Sequence, residues 1–360
     1  MNAAVNRALS GNRNTLPPLT GIRFFAAFHV VLFHALPWLD SHLLLPVPVR
    51  IFLNNGYLAV CLFFLLSGFI LSYTYEGHSS GGSNRAKFWE SRFARIYPVY
   101  FLSLLLALPF HWQKLTSSTV AAVLLMVQAW NPLRPEISGA WNYPAWSLSI
   151  EAFFYLCFPF VQSCLAKVSR NTLLILGGFA ALIAIFGHTP TQGLGTWDQT
   201  SIAGKWIPLP VLRFPEFLIG MVLGNVFLRD RATSKKTFLT TFAALFSLLL
   251  LSIPIGSWVS LVVLPFGLLI YCLASSRDFL TALLSRPLML LLGGASYSVY
   301  LLQAPVRDYV RVLIPRLSLR LVAFGVPLTP LILILFSILV FRIWEEPMRH
   351  SIRRWLALIF

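Results

Sequence analysis

Charge is what this sequence has least of. Only 11% of its 360 residues are Asp, Glu, Lys or Arg, and the acidic ones number 12 against 28 basic. Soluble domains carry about a quarter charged residues. A hydrophobic fraction of 57% with a mean hydropathy of +0.75 therefore excludes an ordinary water-soluble globule. Cysteine is scarce as well. Cys61, Cys157, Cys164 and Cys272 lie in apolar segments without a CxxC spacing, so they read as buried thiols and report no redox compartment. No cluster of His, Cys or carboxylates has metal-ligand spacing, and no metal is expected. No internal repeat stands out, which counts against a transporter built on inverted repeats. The polar start, Met1 to Thr15, leads into a first apolar run without a small-residue cleavage site, so that run is expected to stay in the membrane.

What is present is a succession of apolar runs, each near the ~20 residues that cross a bilayer. They fall at about 19–37, 56–75, 96–113, 146–166, 171–188, 208–228, 237–254, 256–274, 288–306 and 321–343. The expected fold is all-α: a polytopic membrane protein of about ten transmembrane helices. A cytoplasmic segment 1–18 precedes a transmembrane domain 19–343, and a cytoplasmic tail 344–360 follows. The apolar stretch 118–131 is too short to span and is expected as a re-entrant or interfacial segment.

With ten spans, the basic clusters share one side, as the positive-inside rule asks. These are Arg7 and Arg13; Arg85, Lys87, Arg92 and Arg95; Lys167 and Arg170; Arg229, Arg231, Lys235 and Lys236; Arg277 and Arg286; Arg349, Arg353 and Arg354. Counting 118–131 as a span would put Arg229 to Lys236 outside. Both termini are then expected in the cytoplasm, and the net charge of +16 marks orientation rather than nucleic-acid binding. One loop breaks the rule: Arg307, Arg311, Arg316 and Arg320 fall outside, as headgroup anchors or as contacts to an anionic acceptor.

Ionisable residues inside spans are costly and default to function. The first span, LTGIRFFAAFHVVLFH, carries Arg23, His29 and His34. Arg23 and His34 are eleven residues apart, which returns them to one helix face roughly 16 Å apart along the axis, able to line one cavity at two depths. A cation at the cytoplasmic end suits a phosphate-bearing donor, and a deeper imidazole suits proton abstraction. The structural alternatives are snorkelling for Arg23 and a helix–helix hydrogen bond for His34; for His29 the hydrogen bond is preferred. Glu151, in WSLSIEAFFYL, stands in an outer half-span where it could meet His34 and orient it, or pair structurally with Arg213. Arg92 and Arg95, three apart in FWESRFARIYPVY, could grip phosphates at the cytoplasmic mouth or serve as anchors. Arg213 and Glu216 are expected to pair, with Gly220 and Gly224 letting helices approach closely.

In this order the strings resemble the acyltransferase 3 family of membrane acyltransferases along nearly the whole chain. Arg23 and His34 match its first-span motif, Asn54 to Tyr73 its second-span motif with Ser-Gly-Phe, and Arg92, Arg95, Pro98 and Tyr100 its Arg-x-x-Arg-Ile-x-Pro-x-Tyr. WSLSIEAFFY, RFPEFLIG, GGASYSVYLLQAP and EEPMR follow in family order. The resemblance implies about ten helices, an acyl-CoA donor, usually acetyl-CoA, and O-acylation of an extracytoplasmic carbohydrate or lipid-linked glycan at the bacterial cytoplasmic (inner) membrane. It makes His34 the catalytic residue, with Glu151 in the active centre and Arg23, Arg92 and Arg95 on the CoA side. One departure is YLLQAP, where Gln303 replaces a His common in the family.

The expected partners are thus acyl-CoA, a glycan acceptor and membrane lipids, without nucleic acid. Two rival readings stay open. In a transporter or flippase for a glycan or acyl intermediate, Arg23, His34 and Glu151 would form a proton relay. A non-catalytic assembly subunit would show no dependence on acyl-CoA.

Overall fold

The computed structural model describes residues 16–42, 44–76, 82–187, 206–230, 237–254, 260–317 and 319–359. Residues 1–15, with Arg7 and Arg13, and the loop residues Arg231, Lys235 and Lys236 lie outside this set, so the topology signals placed there are carried by sequence alone. Among the described residues the chain is helical, without a strand. In order the helices are α1 (Pro17–His42), α2 (Val47–Asn54), α3 (Ala59–Thr74), α4 (Gly82–His111), α5 (Ser117–Leu124), α6 (Trp146–Leu165), α7 (Arg170–Phe186), α8 (Leu209–Leu212), α9 (Phe214–Asp230), α10 (Thr237–Ser252), α11 (Val263–Ser275), α12 (Phe279–Leu284), α13 (Pro287–Leu317), α14 (Leu319–Val340) and α15 (Glu346–Ile359).

A bilayer interior offers no water to the backbone, so every amide must be bonded within its own segment, and helices result. Seven helical stretches are long and apolar enough to cross: Pro17–Pro37, Val47–Thr74, Asn84–His111, Tyr143–Leu165, Leu209–Asp230, Pro287–Leu313 and Leu328–Leu356. Three shorter apolar helices, Arg170–Phe186, Phe238–Ser252 and Ser260–Ser275, take up the remaining runs. The outward side chains are apolar, among them Ile175, Phe179, Leu245, Leu249 and Leu335, as surfaces facing lipid should be. The chain is an integral membrane protein.

Packing inside such a bundle depends on close backbone approach and on polar bonds rather than on hydrophobic segregation. At Gly220 of α9 a Cβ would lie 2.1 Å from the Leu65 carbonyl oxygen of α3, so only glycine permits that crossing. At Gly293 of α13 it would lie 2.0 Å from the Thr20 carbonyl oxygen of α1. This second contact draws together the helices that carry the site. Three helices are also joined by an amide network. Ser72 donates to Gln162 Oε1 at 2.8 Å, and Gln162 and Asn225 exchange side-chain hydrogen bonds at 3.0 Å. The expected Arg213–Glu216 pair forms at 3.1 Å, buried, with the guanidinium over the Phe64 ring. Glu151 is left for another role.

Two segments take forms that the sequence alone leaves open. Within 118–131 the helix α5 has only eight residues, and turns follow it. Gln128 Nε2 then donates to the Ala145 carbonyl at 2.9 Å, and the Ala129 amide donates to Ser149 Oγ, tying the stretch to the start of α6. The expected tail from 344 instead continues α14 through a π-helical turn, Phe341–Glu345, into α15. It packs on α4: Trp344 Nε1 donates to the Pro98 carbonyl at 3.0 Å, and Arg353 donates to Ser91 Oγ. The buried Glu345 accepts from Ser298 Oγ at 2.7 Å.

Candidate active site

Three elements, α1, α13 and the Tyr143–Leu165 span, run past two cavities at different levels, with α3 and α4 completing the first and α14 the second. Each of the three contributes to both. Along α1, Arg23 lines the first cavity and His34 the second. Along α13, Ser296, Tyr297 and Tyr300 line the first, and Gln303, Arg307 and Arg311 the second. Glu151 and Tyr155 of α6 line the first, and Tyr143 and Pro144, just ahead of α6, the second.

The first cavity is narrow, about 90 Å³, and collects four of the five sequence-derived candidates: Arg23, Arg92, Arg95 and Glu151. Glu151 Oε1 accepts from Tyr155 OH, one helical turn away, and from Ser67 Oγ of α3 at 3.4 Å. Arg92 is buried among the rings of Tyr75, Phe88 and Tyr155, 5.7–5.9 Å from their centroids, and donates to Tyr75 OH at 3.4 Å. Its Nε is buried with no hydrogen-bond partner. Such a guanidinium is held in place yet keeps a donor in hand. Two further arginines, read from the sequence only as orientation signals, lie near Arg92 and Arg95 without lining the cavity. Arg349 and Arg353 of α15 lie close enough to Arg92 and Arg95 to repel them. The continuation of α14 through the π-helical turn into α15, which packs on α4, brings them there.

The second cavity is wider, about 390 Å³, and holds His34. His34 Nδ1 lies 2.9 Å from Gln303 Oε1. The amide's orientation follows from its other end, because Gln303 Nε2 donates to the Tyr300 carbonyl at 2.7 Å. The oxygen therefore faces the ring, Nδ1 carries the proton, and the Nε2 lone pair of the neutral imidazole is left free. Tyr143 meets the ring edge-on, with centroids 5.6 Å apart and an interplanar angle of 86°. The loop holding Tyr143 is itself fixed: Asn142 Nδ2 donates to Ser103 Oγ at 2.8 Å and to the Leu301 carbonyl at 3.1 Å.

His34 and Glu151 thus do not meet. Each has its own partners in its own cavity, and the single cavity expected for Arg23 and His34 is divided. Between the levels Ser147 Oγ and Tyr300 OH share a hydrogen bond of 2.8 Å. His29 lies apart from both cavities, Nε2 donating to the Phe52 carbonyl at 2.7 Å and its ring stacked on Phe52, the helix–helix bond preferred for it. Among the described residues no group of His, Cys, Asp and Glu could hold a metal ion. The residues that sequence reasoning missed are Tyr143, Tyr155, Ser67, Arg349 and Arg353. Only Tyr155 left a signal, its i+4 spacing from Glu151.

A family model described as an acyltransferase domain matches residues 18–343, and the chain belongs to that family, acyltransferase 3. Its relatives include acyltransferase MdmB of Streptomyces mycarofaciens, 30% identical over 318 residues that cover 82% of this chain and 79% of the relative. O-acetyltransferase OatA of Staphylococcus aureus is 24% identical over 329 residues, 82% of this chain but 51% of OatA, so the match spans about half of that relative. Protein 2 in the picA locus of Rhizobium radiobacter is 39% identical over 89 residues, 24% of this chain and 41% of the relative. No solved structure matches.

Proposed function

We propose that the protein is an O-acetyltransferase of the bacterial cytoplasmic membrane, moving an acetyl group from cytoplasmic acetyl-CoA to a hydroxyl of an extracytoplasmic carbohydrate. The observation that carries this reading is the stacking of an arginine-lined cavity and a histidine-lined cavity along the same three elements. The shorter apolar helices complete ten spans, both termini face the cytoplasm, and the arginine cavity opens inward. Arg92, Arg95 and Arg23, joined by Arg349 and Arg353, hold the phosphates of CoA through charge-assisted bonds. Glu151 accepts from the amide N–H groups of the pantetheine arm, which threads toward Tyr300.

In the outer cavity His34 Nε2 takes the proton of the acceptor hydroxyl, whose oxygen attacks the thioester carbonyl carbon. The C–S bond breaks, and the CoA thiolate recovers the proton from the imidazolium. If His34 first carries the acetyl group itself, the same Nε2 bears it, since Nδ1 is engaged with Gln303.

The test is to express the intact protein and His34→Ala in an acetylation-null bacterial strain that makes the native acceptor, and to quantify O-acetyl groups on its surface glycans by NMR. Acetyl should appear with the intact protein only. Equal acetylation with His34→Ala, both proteins being folded in the membrane, would remove His34 from the chemistry. No acetyl with either would favour another acyl donor or transport.

A further inference from the structure

The arginines at the outer end of α13 have no place in the scheme above. Lys and Arg are normally scarce on that side of a membrane, yet Arg307 and Arg311 line the cavity that holds His34. They sit one and two turns beyond Gln303 on one helix face, about 6 and 12 Å along the axis from the His34 contact at 1.5 Å per residue.

Local carboxylates neutralise them only in part. Arg307 Nε lies 3.6 Å from Asp308 Oδ1, too far for a hydrogen bond, and is buried with none. Asp308 is shared, its other oxygen lying 3.5 Å from His111 Nε2. Arg311 is exposed and makes no ion pair among the described residues, the side chains of Arg316 and Arg320 being outside that set. A second donor is also unused: the buried hydroxyl of Tyr143, which lines the same cavity against His34, has no hydrogen-bond partner. A buried polar group left unpaired is costly, and a ligand oxygen placed in the cavity would offset that cost.

We infer that this cavity selects an acceptor carrying an anionic group, phosphate or carboxylate. Arg307 and Arg311 grip that group while Tyr143 and His34 address the hydroxyl. The inference rests on the acyltransfer reading of the His34 cavity and adds the class of acceptor. Arginine is suited to the task because its planar fork meets carboxylate and phosphate oxygens in pairs.

The test measures binding apart from turnover. Protein purified in neutral detergent at low salt is dialysed to equilibrium against radiolabelled glucose, glucuronic acid or glucose 1-phosphate. At least one anionic sugar should bind about tenfold or more tightly than glucose. Arg307→Gln combined with Arg311→Gln should bind all three alike, while Arg134→Gln, an exposed loop control, keeps the preference. If the double variant does not fold, Arg311→Gln alone should lose at least threefold of the preference.

Equal affinity for the three sugars in the unaltered protein, or a preference that survives loss of both arginines, overturns the inference. So does a protein that shows no sugar preference but is stabilised in nanodiscs by phosphatidylglycerol over phosphatidylcholine, an effect lost in the double variant; the arginines would then anchor a lipid headgroup. Thiol release from acetyl-CoA is followed on the same samples. Anionic-sugar preference without any thiol release supports the anion site and counts against the acyltransfer reading alone.

Discussion

At the scale of single residues, Gln303 is the most informative. The sequence marks it as a departure from the family pattern, and the fold shows what the departure touches, the Nδ1 of His34. An amide oxygen there fixes the tautomer without adding charge. Gln303→Ala should lower the turnover of acetyl transfer by about 10²-fold, the low end of what general acid–base catalysis contributes. Gln303→Glu offers an oxygen in the same place and should recover most of that loss, read from initial rates at saturating acetyl-CoA. Equal rates for the two variants would reduce Gln303 to a packing role. Arg23, Arg92, Arg95 and Glu151 could be chosen from sequence because ionisable groups in apolar runs are conspicuous. The partners of His34 and Glu151 could not. Helical periodicity gives the face a residue occupies on its own helix but not the depth at which a neighbouring helix meets it, and so His34 and Glu151 were paired across a gap that Ser147 and Tyr300 fill.

Between elements, glycine and arginine set two different kinds of contact. The α3–α9 crossing is as close as two backbones come, and a methyl at Gly220 would strike the Leu65 carbonyl. Gly220→Ala should therefore separate the helices and cost about 1–3 kcal/mol, as overpacking does, seen as a lower midpoint in a detergent thermal-shift assay. An unchanged midpoint would mean the crossing relaxes freely. The small-residue pattern made this contact legible in advance. By contrast, α15 reads as a tail beyond the last apolar run, because its first turns are polar and basic, and a π-turn has no sequence signature to announce that the helix continues through it and packs on α4. Its consequence lies in donor affinity: Arg353→Gln should raise KM for acetyl-CoA several-fold while leaving kcat within twofold. If Arg353 faces the 3′-phosphate, the same substitution should leave KM for acetyl-dephospho-CoA unchanged. A KM that rises equally for both donors would place Arg353 on the diphosphate instead.

Across the whole molecule, the ten long apolar runs found in the sequence are helical over most of their described residues, because length and hydropathy decide what a bilayer accepts. The proposed orientation comes from charge: Arg23, Arg92 and Arg95 line one cavity, His34, Tyr143 and Gln303 the other, and the arginines beyond Gln303 run against the rule. After Cys164, an exposed native thiol, is replaced by Ser, a cysteine put at Glu136 should react with a membrane-impermeant maleimide in intact spheroplasts. One put at Lys167 should react only after permeabilisation. The reverse pattern would invert the topology and with it the side on which the acceptor is met.

The hydrogen bond between Ser147 and Tyr300 has a consequence for the cell as well as for the reaction. A passage lined by arginines at one mouth and open to the exterior at the other would be a leak, draining ions and the proton gradient the membrane exists to maintain. In the proposed reading, a hydroxyl pair bridging α13 and α6 at the end of the first cavity would serve as a seal one side chain wide. Under the proposed transfer it would have to part for a slender thiol-linked arm and re-form when that arm withdraws, so that acyl export would not uncouple the membrane.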